Sequence, residues 1–308
     1  MLFRQLEYFV ALARERHFAR AASSCYVSQP ALSEALRKLE RELGVPLVRR
    51  GHAFEGLTPE GERLVLWARR ILADRDALEH EVAALRTGLT GEVRIGVIPA
   101  AASTVALLTD PFCVEHPLVR VRLETTLRSL EIVERIRRFE LDAGIIYERG
   151  VDTGGLTRTP LYTERHVLLA GADLLAGRTG TITWSEALEM PMCLLHKEMR
   201  GRQLLDEALA ARGLRAAPQV EADSVVALLA HVSTGRWACV VPKPWLRGLP
   251  APAGVRELAL ADPVVTARIV LVTAAGEPGS VLGSALVRTA GEIDLAATLG
   301  DPSDTAPS

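Results

Sequence analysis

The sequence lacks the motifs that mark several large classes of protein. No apolar run reaches the roughly 20 residues that a membrane-spanning helix needs, so no membrane association is expected. The four cysteines show no CxxC spacing and the seven histidines are scattered, which argues against a disulfide framework and a zinc site. GxSxG, GxGxxG, Walker-loop and HExxH motifs are also absent. We therefore predict no catalytic residues, no metal ligands and no cofactor.

The first residues and the cysteines indicate a compartment. Arg4 and Glu7 interrupt the first turns, so no secretory signal peptide is predicted and we expect a cytoplasmic protein. In a reducing compartment, cysteines without a partner motif behave as small buried apolar residues. We expect this of Cys25, Cys113, Cys193 and Cys239.

Charge is distributed unevenly along a chain whose 308 residues are enough for two or three domains. The net charge is −2, but residues 1–50 carry nine Arg or Lys against five Glu, which makes this segment +4 and the remainder −6. A basic segment on an acidic remainder is expected if only that segment meets nucleic-acid phosphates. Because the excess is small, high affinity would need several copies of the segment in an oligomer.

Residues 18–50 have the pattern of two short helices joined by a tight turn and followed by a basic segment. The first helix is predicted near Ala19–Cys25, and Ala19 lacks the side-chain oxygen of a usual N-cap. Ser28 is suited to cap the second helix, and Pro30 fits its first turn. Apolar residues at spacings of four and three predict one buried face on the second helix. They are Leu32, Leu36, Leu39 and Leu43.

The opposite face of the second helix carries side chains that can read DNA. Gln29, Ser33 and Arg37 follow at intervals of one helical turn and offer an amide, a hydroxyl and a guanidinium group. Such groups bond to base edges and phosphates when a helix enters the major groove. The segment is therefore interpreted as a DNA-binding helix-turn-helix.

Spaced motifs over the first sixty residues resemble the LysR-type transcriptional regulators. They are Leu6-Glu-Tyr-Phe9, Phe18 with Arg20-Ala-Ala22, Val27-Ser-Gln-Pro-Ala-Leu-Ser33, Leu39-Glu40, Leu43-Gly44 and Leu57-Thr-Pro-Glu-Gly61. Length and domain order fit the family over nearly the whole chain, with the C-terminal half matched by pattern. The resemblance implies an α/β protein: an N-terminal winged helix-turn-helix, a long linker helix, and a two-lobed effector domain similar to periplasmic binding proteins.

The resemblance also assigns residues to the DNA interface. These are Gln29, Pro30, Ser33, Arg37, Arg49 and Arg50. The first four are expected in the major groove, whereas Arg49 and Arg50, with His52, are expected at the backbone or minor groove from the wing. Glu34 departs from the family, in which Arg or Gln is common at that place. A carboxylate there repels phosphate or accepts from cytosine, so an atypical DNA target is expected.

Residues 58–89 carry a heptad pattern. Thr58 and Pro59 fit a helix start, and apolar residues then follow at spacings of four and three, interrupted by Arg75. They are Leu64, Ala68, Ile71, Leu78, Val82, Leu85 and Leu89. The helix could pack on its own domain, but a length of over seven turns favours a partner helix. We predict a homodimer through residues 59–89, and the family implies a homotetramer.

After Gly91, short apolar strands alternate with helices, which predicts parallel sheets covered by helices. The predicted strands are Val93–Ile98, Val119–Thr125, Ala143–Tyr147, His166–Ala170, Cys193–His196, Gln219–Glu221, Ala238–Val241 and Ala267–Thr273. The predicted helices are Thr104–Val114, Leu130–Phe139, Ser185–Leu188, Gln203–Arg212, Val225–Thr234 and Val281–Ala297.

Four segments are predicted from these patterns. They are a DNA-binding domain at 1–58, a linker helix and hinge at 59–91, an effector-binding domain at 92–300 and a disordered tail at 301–308. The family implies one lobe of about 92–162 with 268–297, and a second of about 163–267.

The effector cleft is expected where strands end and helices begin. The candidate effector-binding residues are Ser103, Thr104, Thr126, Lys197, Arg200, Arg202 and Ser224. Helix starts and a basic loop suit an anion, although simple helix caps and a solvated loop would give the same pattern. Position in the lobe and the family resemblance favour contact with a small organic or inorganic anion.

The function expected from these patterns is a ligand-responsive regulator that binds double-stranded promoter DNA as a dimer or tetramer. Two alternatives stay open at this point: an enzyme with a helix-turn-helix head, and a small-molecule-binding protein of the transport type with such a head. The absent catalytic motifs argue against the first, and the absent export signal argues against the second.

Overall fold

A helical N-terminal domain is joined by one long helix to a two-lobed α/β domain. The computed structural model describes residues 1–50, 54–276 and 280–299, and the predicted fold class is confirmed. The N-terminal elements are α1 (Phe3–Glu15), α2 (Phe18–Ser24), α3 (Gln29–Leu43), β1 (Val48–Arg50), β2 (Phe54–Leu57) and α4 (Pro59–Thr87). β1 and β2 pair antiparallel as a wing. The apolar stripe of α3 packs on α1, where Leu32, Leu36 and Leu39 are buried.

Side chains cap both helices of the helix-turn-helix. Ser28 caps α3 as predicted, since its Oγ accepts from the backbone N–H of Ala31 at 3.3 Å. The expectation of an uncapped first helix is wrong, because α2 begins at Phe18, one residue before Ala19. The ring Nδ1 of His17 accepts from the backbone N–H of Arg20 at 3.4 Å and replaces the missing hydroxyl.

α4 is 29 residues long and spans about 43 Å. Thr58 caps it, accepting from the N–H of Gly61 at 2.9 Å. The predicted heptad positions do not all face the same way, because Leu64, Ala68 and Ile71 pack on the N-terminal core. For that half, the alternative of a helix packed on its own domain is the one observed. Within residues 59–83 of α4, the exposed large apolar side chains are Leu66, Trp67, Leu78 and Val82.

Ten strands and eight helices of the described residues form the C-terminal domain. The strands are β3 (Gly91–Val97), β4 (Val119–Glu124), β5 (Ala143–Tyr147), β6 (Leu156–Gly171), β7 (Thr181–Thr183), β8 (Met192–Leu195), β9 (Val220–Ala222), β10 (Ala238–Pro242), β11 (Val255–Ala261) and β12 (Thr266–Ala274). The helices are α5 (Ala106–Glu115), α6 (Ser129–Arg137), α7 (Trp184–Leu188), α8 (Arg200–Ala210), α9 (Val225–Val232), α10 (Trp245–Gly248), α11 (Val281–Glu292) and α12 (Leu295–Leu299).

The sheets are mixed, which corrects the expectation of parallel sheets. β3 is parallel to β4 and β5, and β8 is parallel to β9 and β10. The strands β6 and β12, in contrast, are antiparallel to their neighbours. The order is β4-β3-β5-β12-β6 in the first lobe, and β6-β10-β8-β9 in the second, with β11 and β7 on the other edge of β6.

β6 belongs to both lobes. Residues 156–165 pair with β12, and residues 166–171 pair with β10 and β11. The chain returns to the first lobe where β12 begins at Thr266. These crossings lie within three residues of the lobe limits predicted from the sequence. Because β6 passes from one sheet to the other at residues 165 and 166, we call this segment the hinge between the lobes.

Two other expectations are corrected. The predicted final helix 281–297 is two helices, because α11 ends at Glu292 and α12 starts at Leu295. Cys193 and Cys239 are buried, but Cys113 is exposed on α5, so the prediction of burial is wrong for that residue. Within the described residues, no helix is long and apolar enough to cross a membrane.

Candidate functional site

A cleft of about 760 Å³ lies between the two lobes. Its walls are the loops that follow β3, β4 and β5 in the first lobe, and those that follow β8 and β9 in the second. These are the carboxyl ends of parallel strands, where α/β sheets place ligands. The volume falls within the range of small-molecule sites.

Most of the predicted effector residues line this cleft. They are Ser103, Thr126, Arg200, Arg202 and Ser224. Thr104 does not line it: it is 4% exposed, and its hydroxyl is bonded to the hydroxyl of Tyr162 at 2.8 Å. Lys197 also lies off the cleft, on an exposed part of the loop before α8. The expected helix start at Thr104 is displaced, since α5 begins at Ala106.

Two cleft atoms are buried hydrogen-bond donors without a partner among the described residues. They are the Oγ of Ser103, in the first lobe, and the Nε of Arg200, in the second. The Nη1 of Arg200 is held by Glu207 at 2.7 Å, which fixes the guanidinium at the start of α8. Both atoms belong to residues that line the cleft, but each is covered by protein: Arg200 Nε packs against Gly150, and Ser103 packs against Gly248.

Arg202 lines the cleft but is committed to the protein. It is 2% exposed, and its Nη1 donates to Glu221 at 2.9 Å and to the carbonyl of Leu195 at 2.8 Å. Its Nε donates to Asp206 at 2.9 Å. These bonds fasten α8 to β8 and β9, so Arg202 orients the first turn of α8, which begins at Arg200.

Arg128 and Arg149 are cleft residues that the sequence analysis missed. Arg128 precedes α6 and donates to Glu198 of the second lobe at 3.2 Å, so this exposed ion pair bridges the mouth of the cleft. Both arginines follow a strand, as Ser103 and Thr126 do, and the same topological rule would have found them.

The floor of the cleft holds titratable groups withdrawn from water. Tyr147 and His166 line it, and Glu164 lies behind them on β6. Burial raises the pKa of Glu164 to about 8 and lowers the pKa of His166 to about 4. Both groups are therefore mostly neutral at pH 7. Within the described ranges, no cluster of His, Cys, Asp or Glu is placed to hold a metal ion.

The second candidate surface is the outer face of α3. Gln29, Pro30 and Arg37 are exposed, and Ser33 is half-buried. Arg49 is exposed on the wing strand β1, which ends at Arg50, whereas His52 lies outside the described residues.

The turn before α3 presents an aromatic residue that was not among the predicted DNA contacts. Tyr26 is 97% exposed with a φ of 56°, and an exposed aromatic in such a turn is not visible from hydrophobic spacing.

Glu34 lies on the same face. Its carboxylate is 2.8 Å from the guanidinium of Arg41 and 3.6 Å from that of Arg37. These pairs are exposed, so they are weak and screened by salt. They nevertheless place a negative charge beside the guanidinium that is predicted to read a base.

Family models account for both halves of the chain. Residues 3–62 match the bacterial regulatory helix-turn-helix proteins of the lysR family, and residues 86–293 match the LysR substrate binding domain. The chain is 28% identical over 97% of its length to the uncharacterized HTH-type transcriptional regulator YfeR of Shigella flexneri, of which it covers 97%. It is 34% identical over 75% of its length to the SDS degradation transcriptional activation protein of a Pseudomonas strain, of which it covers 75%.

Solved structures share the fold. A full-length OxyR variant from Pseudomonas aeruginosa is similar with a TM-score of 0.75 at 24% identity, covering 96% of this chain and 97% of that one. CbnR, a LysR family transcriptional regulator, has a TM-score of 0.65 at 21% identity, covering 95% of this chain and 99% of that one. The substrate-domain match spans more than half of the chain, and the helix-turn-helix match precedes it. The chain therefore belongs to the LysR family and is a DNA-binding transcriptional regulator with an effector-binding domain.

Proposed function

We propose that the effector of this regulator is a small anion that binds between the lobes. The observation that carries the proposal is a group of three arginines at one cavity: Arg128 and Arg149 line it from the first lobe, and Arg200 lines it from the second. Their positive charges favour an anion between the lobes. An anion that bonds to both walls stabilises the closed arrangement of the lobes, because it binds that arrangement better than an open one.

At the other end of the molecule, α3 is proposed to read the operator. Gln29 suits adenine and Arg37 suits guanine, with Ser33 between them and Arg49 and Arg50 on the wing near the backbone. The exposure of these side chains, where the structure describes it, supports the proposal. A regulator of this kind acts where promoter DNA is, which favours the cytoplasm.

The exposed face of α4 is proposed to pair with a second copy of the chain. Trp67 is 62% exposed and Leu78 is 61% exposed, and eleven residues are close to three helical turns, so both lie on one side of α4. Val82 continues that side. Pairing there would bury apolar surface and place two α3 helices on one duplex, which suits two half-sites.

Thermal unfolding of the full-length protein tests the anion proposal. The probes are sulfate, acetate, succinate and benzoate, each compared with chloride at equal ionic strength. At about 100 times the Kd, a bound anion adds about 2.7 kcal/mol to the free energy of unfolding, which raises the Tm by several degrees.

Arg200→Gln should abolish the rise in Tm, because it removes the guanidinium. Arg178→Gln is the matched control, since Arg178 is exposed and lies off the cleft. If both variants respond as the parent does, the anion site is not between the lobes.

A second prediction concerns Glu34. Glu34→Gln removes a carboxylate 3.6 Å from Arg37 and leaves the shape of the side chain unchanged. We expect affinity for DNA to rise several-fold, most strongly at low salt, because repulsion of phosphate disappears and Arg37 is released. Fluorescence anisotropy with labelled duplexes over a salt series measures this. An unchanged affinity would place Glu34 away from the DNA.

A further inference from the structure

Glu164 is a buried carboxyl group at the hinge between the lobes. It lies on β6 two residues before the strand passes to the second lobe, and it is 0% exposed. Neither carboxyl oxygen has a hydrogen bond of good geometry within the described structure. Its partner on β12 is Ala267, which offers no side-chain hydrogen-bond donor. A carboxyl group placed in this way requires an explanation.

Tyr147 and Glu164 lie on either side of β12 and on one face of the sheet, because Tyr147 pairs with Ile269 and Glu164 pairs with Ala267, two residues away. Tyr147 ends β5, lines the cleft and is 4% exposed. Burial, and next the charge of Glu164, raise the pKa of Tyr147, and a hydrogen bond from Tyr147 opposes the rise that burial causes in the pKa of Glu164. The hydroxyl oxygen of Tyr147 also reaches the second lobe, since a methyl group added at Gly201 would lie 3.3 Å from it. One hydroxyl therefore faces the carboxyl, the cleft and the start of α8.

Two other polar groups near Glu164 are already engaged. The hydroxyl of Tyr162 is bonded to Thr104 at 2.8 Å. The ring Nδ1 of His166 faces the carbonyl of Val265 at 3.3 Å, and that imidazole is neutral. The charge of Arg200 acts on Tyr147, and among the described residues no cation lowers the pKa of Glu164. Tyr147 is thus the available hydrogen-bond partner for this carboxyl.

We propose that Glu164 and Tyr147 form a proton relay that makes the affinity of the cleft for its anion depend on pH. When Glu164 is protonated, its O–H donates to the oxygen of Tyr147, and the Tyr147 proton is free to donate to the bound anion. When Glu164 is ionised, Tyr147 donates to the carboxylate and offers only lone pairs to the cleft. The proton on Glu164 therefore decides whether the floor of the cleft attracts or repels an anion.

The pH range follows from the surroundings of the carboxyl. Burial raises the pKa of Glu164 to about 8, so the switch lies near and above neutral pH. An anion favours the protonated form, and by linkage the affinity is high and constant below this range and falls as pH rises through it. The relay rests on the proposed function, since it requires an anion in this cleft.

Sulfate binding measured by calorimetry on the full-length protein tests the relay, because sulfate stays a dianion from pH 6 to pH 9. We expect the Kd of the parent protein to rise about tenfold or more across that range, as a donor to a charged group is lost. Glu164→Gln should bind with a Kd that hardly changes with pH. Tyr147→Phe should bind weakly at every pH. The control Glu115→Gln, exposed on α5 and off the cleft, should keep the pH dependence of the parent.

A measurement without any anion separates the two proposals. A tyrosine that starts to donate to a carboxylate changes its near-ultraviolet absorption, so the parent should show a step between pH 7 and pH 9. The step should be absent in Glu164→Gln and in Tyr147→Phe. If it persists in both variants, or if sulfate binding by Glu164→Gln follows the pH profile of the parent, the relay is wrong. Absence of sulfate binding together with a normal step contradicts the anion proposal and leaves the hydrogen bond in place.

Discussion

Replacement of Gln29 by alanine should remove most of the sequence selectivity of DNA binding. A side-chain amide bonded to adenine is worth roughly 1–3 kcal/mol of discrimination, and a dimer makes the contact twice. We therefore expect the affinity for the preferred operator to fall by roughly 30-fold to 10⁴-fold. The operator is first enriched from genomic fragments with the parent protein, and anisotropy titrations are then run with operator and scrambled duplexes at one salt concentration. The exposure of Gln29 at the start of α3 underlies this expectation.

Lys38→Ala is the matched control for this experiment. Lys38 is exposed on the same helix, nine residues after Gln29 and on another side of it. Removal of this positive charge should weaken the binding of operator and scrambled duplexes alike and flatten the dependence of affinity on salt. Gln29→Ala should instead reduce the ratio of the Kd for scrambled DNA to the Kd for the operator. Its Kd for scrambled DNA should stay nearly unchanged. An equal loss on both duplexes would assign Gln29 to the backbone and not to a base.

The helix-turn-helix is predictable because its signals are local. Ser28, Pro30 and the leucine spacing of α3 lie within one segment, and the bonds they predict are those observed. The missed cap shows the limit of the pattern. His17 takes the place of a hydroxyl residue, and histidine is rarely considered at an N-cap.

The lobes are less predictable because their pairing is not local. The first half of β6, residues 156–165, is mostly polar and contains Pro160, so its spacing does not resemble a core strand. The strand forms there because β12, about a hundred residues later in the chain, pairs with it. The pairing contains a bulge beside Pro160. The sequence therefore places the hinge only approximately.

The residues of the cleft also differ in how well the local sequence predicts their surroundings. Ser103, Thr126 and Ser224 follow strands, and position alone predicts them. Arg202 and Thr104 were expected to face a ligand, but distant partners determine their surroundings: Glu221 for Arg202, and Tyr162 for Thr104. Glu164 has no signal at all in the sequence, because one acidic residue in a polar strand is typical of a solvated edge.

Glu164→Gln should change how stability depends on pH more than any other single substitution in the hinge. The folded protein holds a proton on Glu164 up to a pKa of about 8, whereas the unfolded chain releases it near the ordinary value of 4.5. The stability of the parent therefore falls as pH rises from about 4.5 to about 8, by up to about 1.4 kcal/mol per pH unit. Glutamine does not titrate, so the variant should match the parent near pH 5 and exceed it by up to about 4 kcal/mol at pH 9. Urea denaturation over this pH series measures the difference.

The control is Glu148→Gln, one residue after β5, which removes a carboxylate 3.7 Å from Arg268 and should show no such divergence. Parallel pH profiles for the parent and Glu164→Gln would mean that water reaches the carboxyl and that the hinge does not hold it neutral.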